Sequence, residues 1–258
     1  MATTLISRRD FLKGGIAAGA ALTLPFVSWE KVFADAPGGV LDLLFVATGG
    51  NKGLSVIDVR TGTLVKQIEV GTAFNYPANQ WTYDSRYIWG SASGESQVID
   101  VFTGTIIWRH PGSKDHHNYV EVTPDGHYAV VAQRFNDHFI KVGADPNKPD
   151  WLQVVAEYQT YSGAQPCDTT ISPDGRYSFH PDVAGNRLEV LDLGSFKAVA
   201  IVPVEPLVAD QAKPYMCTAA PDGKTLFVEN SEGSEGIWDV SDPLHPVEVA
   251  RLAKADGI

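Results

Sequence analysis

The sequence predicts an all-β protein, a β-propeller of four-stranded blades, on three observations. A Pro-Asp-Gly phrase recurs, a Val-Ile-Asp phrase recurs behind it, and nothing past the N-terminal segment sustains helical periodicity. The first phrase reads Thr123-Pro124-Asp125-Gly126, Ser172-Pro173-Asp174-Gly175 and Ala220-Pro221-Asp222-Gly223, with Tyr83-Asp84-Ser85 as a weaker copy. Its aspartates stand at 84, 125, 174 and 222, in steps of 41, 49 and 48 residues. Asp-Gly tolerates the positive φ that a tight hairpin needs, so each copy marks a turn between two strands. The second phrase reads Val56-Ile57-Asp58-Val59, Val98-Ile99-Asp100-Val101, Val190-Leu191-Asp192-Leu193 and Ile237-Trp238-Asp239-Val240. The first two copies run on into Thr61-Gly62 and Thr103-Gly104, which are again turns.

Each period then supplies four strands: one before the Asp-Gly turn, one after it, the Val-Ile-Asp strand, and an outer strand such as Ile68 to Val70 or Val247 to Leu252. Four full blades are expected at about 71–111, 112–161, 162–205 and 206–252. The first blade begins at Leu43-Leu44-Phe45-Val46, which matches the second strand of later blades, so its innermost strand is missing. The sequence stops at Ala255-Asp256-Gly257-Ile258, where a new innermost strand would begin. About five blades are visible, and the expectation is a C-terminally incomplete propeller of about seven. A five-bladed ring is the alternative, its seam filled by the segment from Pro37 or by the last residues.

Ser172-Pro173-Asp174-Gly175-Arg176-Tyr177, followed by Asn186-Arg187-Leu188-Glu189-Val190-Leu191-Asp192, resembles the bacterial YVTN-type propeller repeat family within the quinoprotein-dehydrogenase-like group. Gly236 to Val249 is similar to the related repeat with Asp-Val-Ser-Asp-Pro and a later Pro-Val. The resemblance covers residues 41–252 and implies architecture rather than activity, because the fold hosts unrelated functions.

Ser7-Arg8-Arg9-Asp10-Phe11-Leu12-Lys13 resembles the twin-arginine export signature, and an uncharged stretch from Gly14 to Val27 follows it. Ala34-Asp35-Ala36 places small residues where a signal peptidase reads, so residues 1–36 are expected to be a cleaved signal peptide and 37–258 the propeller, delivered to the periplasm. The alternative is a membrane anchor, but a spanning helix needs about 20 apolar residues. The formal net charge is −11, and removal of residues 1–36, with four cations and three anions, leaves −12. Such a chain repels nucleic acid and anionic lipid, so neither is an expected partner, while solubility is the plainest reading of the charge. Two cysteines, Cys167 and Cys217, are no disulfide framework, although an oxidising compartment would permit a bridge between them.

In a propeller the segments leading into the innermost strands ring one mouth of the central channel. Aligned on the turns, these are Tyr76-Pro77-Ala78-Asn79, Asp115-His116-His117-Asn118, Gln165-Pro166-Cys167-Asp168 and Pro214-Tyr215-Met216-Cys217. Asn79, Asp115, Asp168 and Tyr215 are expected at the ligand mouth. His116, His117, Cys167, Met216 and Cys217 form a candidate metal set whose imidazole, thiolate and thioether groups suit copper or haem iron. Each has a plainer role: a buried thiol, a gap-filling Met, a solvated His pair, or an Asp bonded to backbone at a strand start. The propellers of nitrous oxide reductase and haem d1 proteins are similar in general plan, and a His pair like His116-His117 begins the copper site of the former. His127, His138, His180 and His245 lie after turns or in loops and are weaker candidates.

No Cys-x-x-Cys-His, His-Glu-x-x-His, Gly-x-Ser-x-Gly or phosphate-binding glycine loop occurs. The leading expectation is a periplasmic binding or interaction module, accessory to a redox system, taking a small ligand or protein partner at the mouth. A copper- or haem-dependent oxidoreductase is the alternative, and a hydrolase or lyase the third reading.

Overall fold

The computed structural model describes residues 43–48, 53–70, 74–82, 86–92, 94–112 and 118–253. Among them the chain forms nineteen strands in five antiparallel sheets, joined in sequence order. The first sheet has three strands: β1 (Leu43–Thr48), β2 (Gly53–Asp58) and β3 (Thr63–Glu69). The second comprises β4 (Phe74–Trp81), β5 (Tyr87–Ala92), β6 (Glu95–Asp100) and β7 (Thr105–Pro111). The third comprises β8 (Asn118–Val122), β9 (Tyr128–Gln133), β10 (His138–Gly143) and β11 (Val154–Gln159). The fourth comprises β12 (Thr170–Ile171), β13 (Tyr177–Asp182), β14 (Arg187–Asp192) and β15 (Lys197–Pro203). The fifth comprises β16 (Pro214–Ala219), β17 (Thr225–Asn230), β18 (Ser234–Asp239) and β19 (Val247–Ala253). This is the propeller plan expected from the repeat, with three strands in the first sheet among the described residues.

The two phrases do their work through side-chain carboxylates. In the Pro-Asp-Gly turns, Asp125, Asp174 and Asp222 accept the N–H two residues on, from His127 (3.0 Å), Arg176 (3.1 Å) and Lys224 (2.8 Å). Gly126, Gly175 and Gly223 then take φ of 73°, 72° and 67°, where a side chain would be strained. In the second phrase, Asp58 and Asp100 accept from Arg60 (2.8 Å) and Phe102 (2.9 Å), and Gly62 and Gly104 close the turn at φ 67° and 68°. In the fourth blade Phe196 occupies that glycine position at φ 52°. Its ring is buried against the neighbouring blade, which offsets a left-handed conformation costing about 1–2 kcal/mol.

The core lies between blades. The middle strands β5, β9 and β13 are buried at nearly every position because blades cover both faces, whereas β7 and β11 alternate between exposed and half-buried residues. One layer joins Trp89 and Val98 to Val120, Val131 and Ile140; the next joins Tyr119, Phe139 and Cys167 to Ile171 and Leu191; the third joins Phe179 and Val190 to Cys217, Leu226 and Trp238. On β17, Leu226 and Val228 are buried but Phe227 and Glu229 are exposed, so this blade shows one face to solvent.

Two expectations are refined. The fourth inner strand is only two residues long, with a lone bridge from Pro166 to Asp182 ahead of it. The lead-in still bonds to β13, Cys167 N–H to the Pro181 carbonyl at 2.9 Å and Val183 N–H to the Gln165 carbonyl at 3.1 Å, and the regular ladder is interrupted between Cys167 and Thr170. Cys167 and Cys217 are free, buried thiols rather than a disulfide.

Candidate functional site

In an antiparallel four-stranded blade, the segment leading into the first strand and the connection between the second and third strands lie at the same end. In the third blade that connection is a 3-10 turn, Arg134–Asn136, closed by Asp137 at φ 51°. Asp137 reaches the lead-in of the next blade, accepting from the N–H groups of Gly163 and Gln165, both at 2.7 Å. Asn186 repeats the arrangement one blade on, accepting from Lys213 N–H at 2.8 Å, again from a left-handed backbone at φ 50°. These bonds fix the lead-ins that carry Cys167 and Tyr215.

A second bond repeats deeper in the channel wall. Glu121 on β8 accepts from the backbone N–H of Ile171, and Thr170 accepts from Ala219 N–H at 3.2 Å. Glu121 and Thr170 stand at the same place in the repeat, 49 residues apart. Asp168 adds a third link, accepting from Cys217 N–H at 2.9 Å. Burial, then the Asp168 charge, pushes Glu121 up to about 7, against the bonds from Ile171 and Thr170. Burial pushes Asp168 up to about 6, against the N–H groups of Cys217 and Thr169. The Asp168 backbone is held by His180, fully buried on β13. His180 donates from Nδ1 to the Asp168 carbonyl at 3.2 Å, so its Nε2 accepts from the Ser178 hydroxyl at 2.8 Å. Burial drives its pKa down to about 3, and the ring is a neutral brace.

The Tyr119 hydroxyl, buried on β8, and the half-buried Tyr215 hydroxyl stand 3.3 Å apart. Both reach the Cys167 thiol, which burial pushes up to about 11 although Tyr119 and the Arg134 charge favour its thiolate. Arg134 lies over the Tyr215 ring, 5.5 Å from its centroid, and over Phe135 at 5.0 Å. Of the residues read from sequence, the structure brings Cys167, Asp168 and Tyr215 together. Met216 packs against the layer holding Tyr119 and Cys167, and Cys217 donates its thiol proton to the Phe179 carbonyl at 3.4 Å. Asp115, His116 and His117 lie outside the described residues, as does the side chain of Asn79.

The described residues do not by themselves supply a three-ligand metal site. No three His, Cys, Asp or Glu side chains among them are placed to hold a metal ion, and burial raises both thiols above their ordinary range. Tyr119, Glu121 and Arg134 are residues of this cluster that sequence reasoning missed, and His180 was read only as a weaker metal candidate. Aligning the repeat by strand position instead of by phrase pairs Glu121 with Thr170 and would have drawn attention to the first of the linking bonds.

Residues 5–25 match the TAT (twin-arginine translocation) pathway signal sequence family, so the protein is exported, in bacteria to the periplasm. By sequence, the chain matches no curated protein. In fold it is similar to a functionally unknown protein from Desulfotomaculum acetoxidans (TM-score 0.64, 14% identity over 80% of this chain). It is likewise similar to a candidate 6-phosphogluconolactonase from Bacteroides uniformis (0.62, 16% over 80%) and to a protein from Lactobacillus plantarum (0.69, 18% over 82%). The chain spans 65%, 66% and 68% of those three chains, about two thirds of their length. The protein is an exported β-propeller-like protein, and its neighbours define its architecture.

Proposed function

We propose that this exported propeller is a binding module that takes a small ligand or protein partner at the channel mouth built by Tyr119, Cys167 and Tyr215. The observation carrying this reading is that the half-buried Tyr215 hydroxyl meets the buried Tyr119 hydroxyl and Cys167 thiol, with the backbone ahead of Cys167 and Tyr215 pinned by Asp137 and Asn186. Pinned backbone with convergent polar and aromatic groups is what a small-molecule site requires. Native mass spectrometry of the protein recovered from the periplasm tests it. A bound species present in wild type and absent in Tyr215→Ala is the expected result; a bound species unaffected by changes to all three residues would overturn the reading. Accessory service to a redox system is part of the same proposal and predicts a bound species or partner that is redox-active.

A second reading, hydrolase or lyase chemistry, is supported by Glu121 and Asp168. These two carboxylates on adjacent blades are raised to about 7 and about 6, the range in which one can hold a proton while the other accepts one. Turnover abolished by Glu121→Gln and Asp168→Asn, with ligand binding kept, would favour it over a binding module.

A further inference from the structure

We propose that the mouth recognises a carboxylate, with Arg134 as the group that binds it. This rests on the mouth being the ligand site and names the chemistry of what enters it.

Arg134 has no paired anion among the described residues. Among the described residues no carboxylate stands within ion-pair distance of it, although the other ion pairs of these blades are formed normally, as Arg86 with Asp100 at 2.9 Å and Arg109 with Glu95 at 2.7 Å. Asp137, three residues on, is turned to the Gly163 and Gln165 N–H groups. The Arg134 Nε is buried and has no hydrogen-bond partner. A buried donor left unmade is destabilising, and a charged one more so, so such a group calls for an acceptor that arrives from outside.

Its surroundings select the kind of acceptor. The guanidinium is a planar fork whose Nε–H and Nη–H bonds match the two oxygens of a carboxylate. It is seated on the faces of Tyr215 and Phe135, which hold its plane and supply apolar surface for the rest of the ligand. The half-buried Tyr215, whose ring lies under the guanidinium, adds a hydroxyl as a neutral donor, with the Tyr119 hydroxyl and Cys167 thiol buried behind it.

The test uses benzoate, whose carboxylate would meet Arg134 and whose ring would meet the aromatic faces, and benzamide, its neutral counterpart. Binding of each to the exported full-length protein is measured by calorimetry and thermal shift, in wild type, Arg134→Gln, Arg134→Lys and Tyr215→Phe. Benzoate should bind more tightly than benzamide, Arg134→Gln should weaken benzoate about ten- to hundredfold, and Arg134→Lys should restore part of the loss. The lysine variant and the unliganded melting temperatures show whether any loss is one of folding. Equal binding of benzamide and benzoate, or benzoate binding untouched in Arg134→Gln, would overturn the assignment while the mouth still binds. Absence of benzoate binding to folded wild type would overturn it too, and the co-purified species would judge the mouth reading separately.

Discussion

Replacing Asp168 by Asn separates the two things its carboxylate does. It accepts the Cys217 N–H at 2.9 Å across the boundary between the fourth and fifth blades, and it carries a charge into a buried place. Asn keeps an oxygen for the N–H and removes the charge. The folded protein holds the Asp168 proton to about 6, against an ordinary 3.8. Between those values the unfolded chain ionises first, so wild type loses stability as pH rises through this window and is level above it. At 1.36 kcal/mol for each tenfold change in proton affinity, the window is worth about 3 kcal/mol. Urea unfolding of both proteins near pH 4 and near pH 8 should therefore show Asp168→Asn gaining on wild type by about 2 kcal/mol between the two conditions, part of the window being passed already at pH 4. Asp168→Ala strands the Cys217 N–H and should be worse than Asn by about 1–3 kcal/mol at either pH. A difference between Asn and wild type that is flat with pH, or that grows toward acid, would refute the argument, because it would mean that the ionised carboxylate is stabilised by its surroundings.

Other expectations are as direct. Gly143→Ala sets a Cβ 2.0 Å from the Asp150 carbonyl oxygen, which is backbone and cannot swing aside, so a loss at the overpacking limit of about 3 kcal/mol is expected in urea unfolding. Burial raises both Asp182 and Glu189, and the Glu189 charge adds to the rise at Asp182, so stability should fall as pH rises above the ordinary carboxylate range, and Glu189→Gln should flatten that fall in a pH series of thermal melts. Cys167 and Cys217 are buried thiols raised above their usual range, so a thiol reagent should find neither in the native protein at neutral pH and both in urea, which a timed colorimetric titration would show.

The blades were legible because their signals are local. Asp125, Asp174 and Asp222 each bond to the backbone two residues away, and Gly62 and Gly104 sit where φ is positive, so five consecutive letters are enough to read a turn. The site was legible only where it lies on those phrases. Cys167, Asp168 and Tyr215 were found by counting back from the turns. Arg134 was not, because its place depends on the connection between β9 and β10, which belongs to no repeated phrase. Glu121 and His180 look in sequence like a polar residue in a half-buried strand and a histidine after a turn. What gives them meaning is a partner in the next blade, Ile171 for one, or a carbonyl twelve residues back, Asp168 for the other. The two-residue length of β12 was hidden likewise, since nothing in Gln165-Pro166-Cys167-Asp168 states that the regular ladder is interrupted before Thr170.

The bonds from Glu121 to Ile171 and from Thr170 to Ala219 run one way, each side chain serving the blade that follows it in the chain. An array coupled like this transmits a disturbance to its nearest neighbour and little further. A residue at one lead-in can then change, and with it the ligand preference of the mouth, without retuning the blades beyond the next. Such an assembly can acquire a new specificity one blade at a time while its frame stays the same.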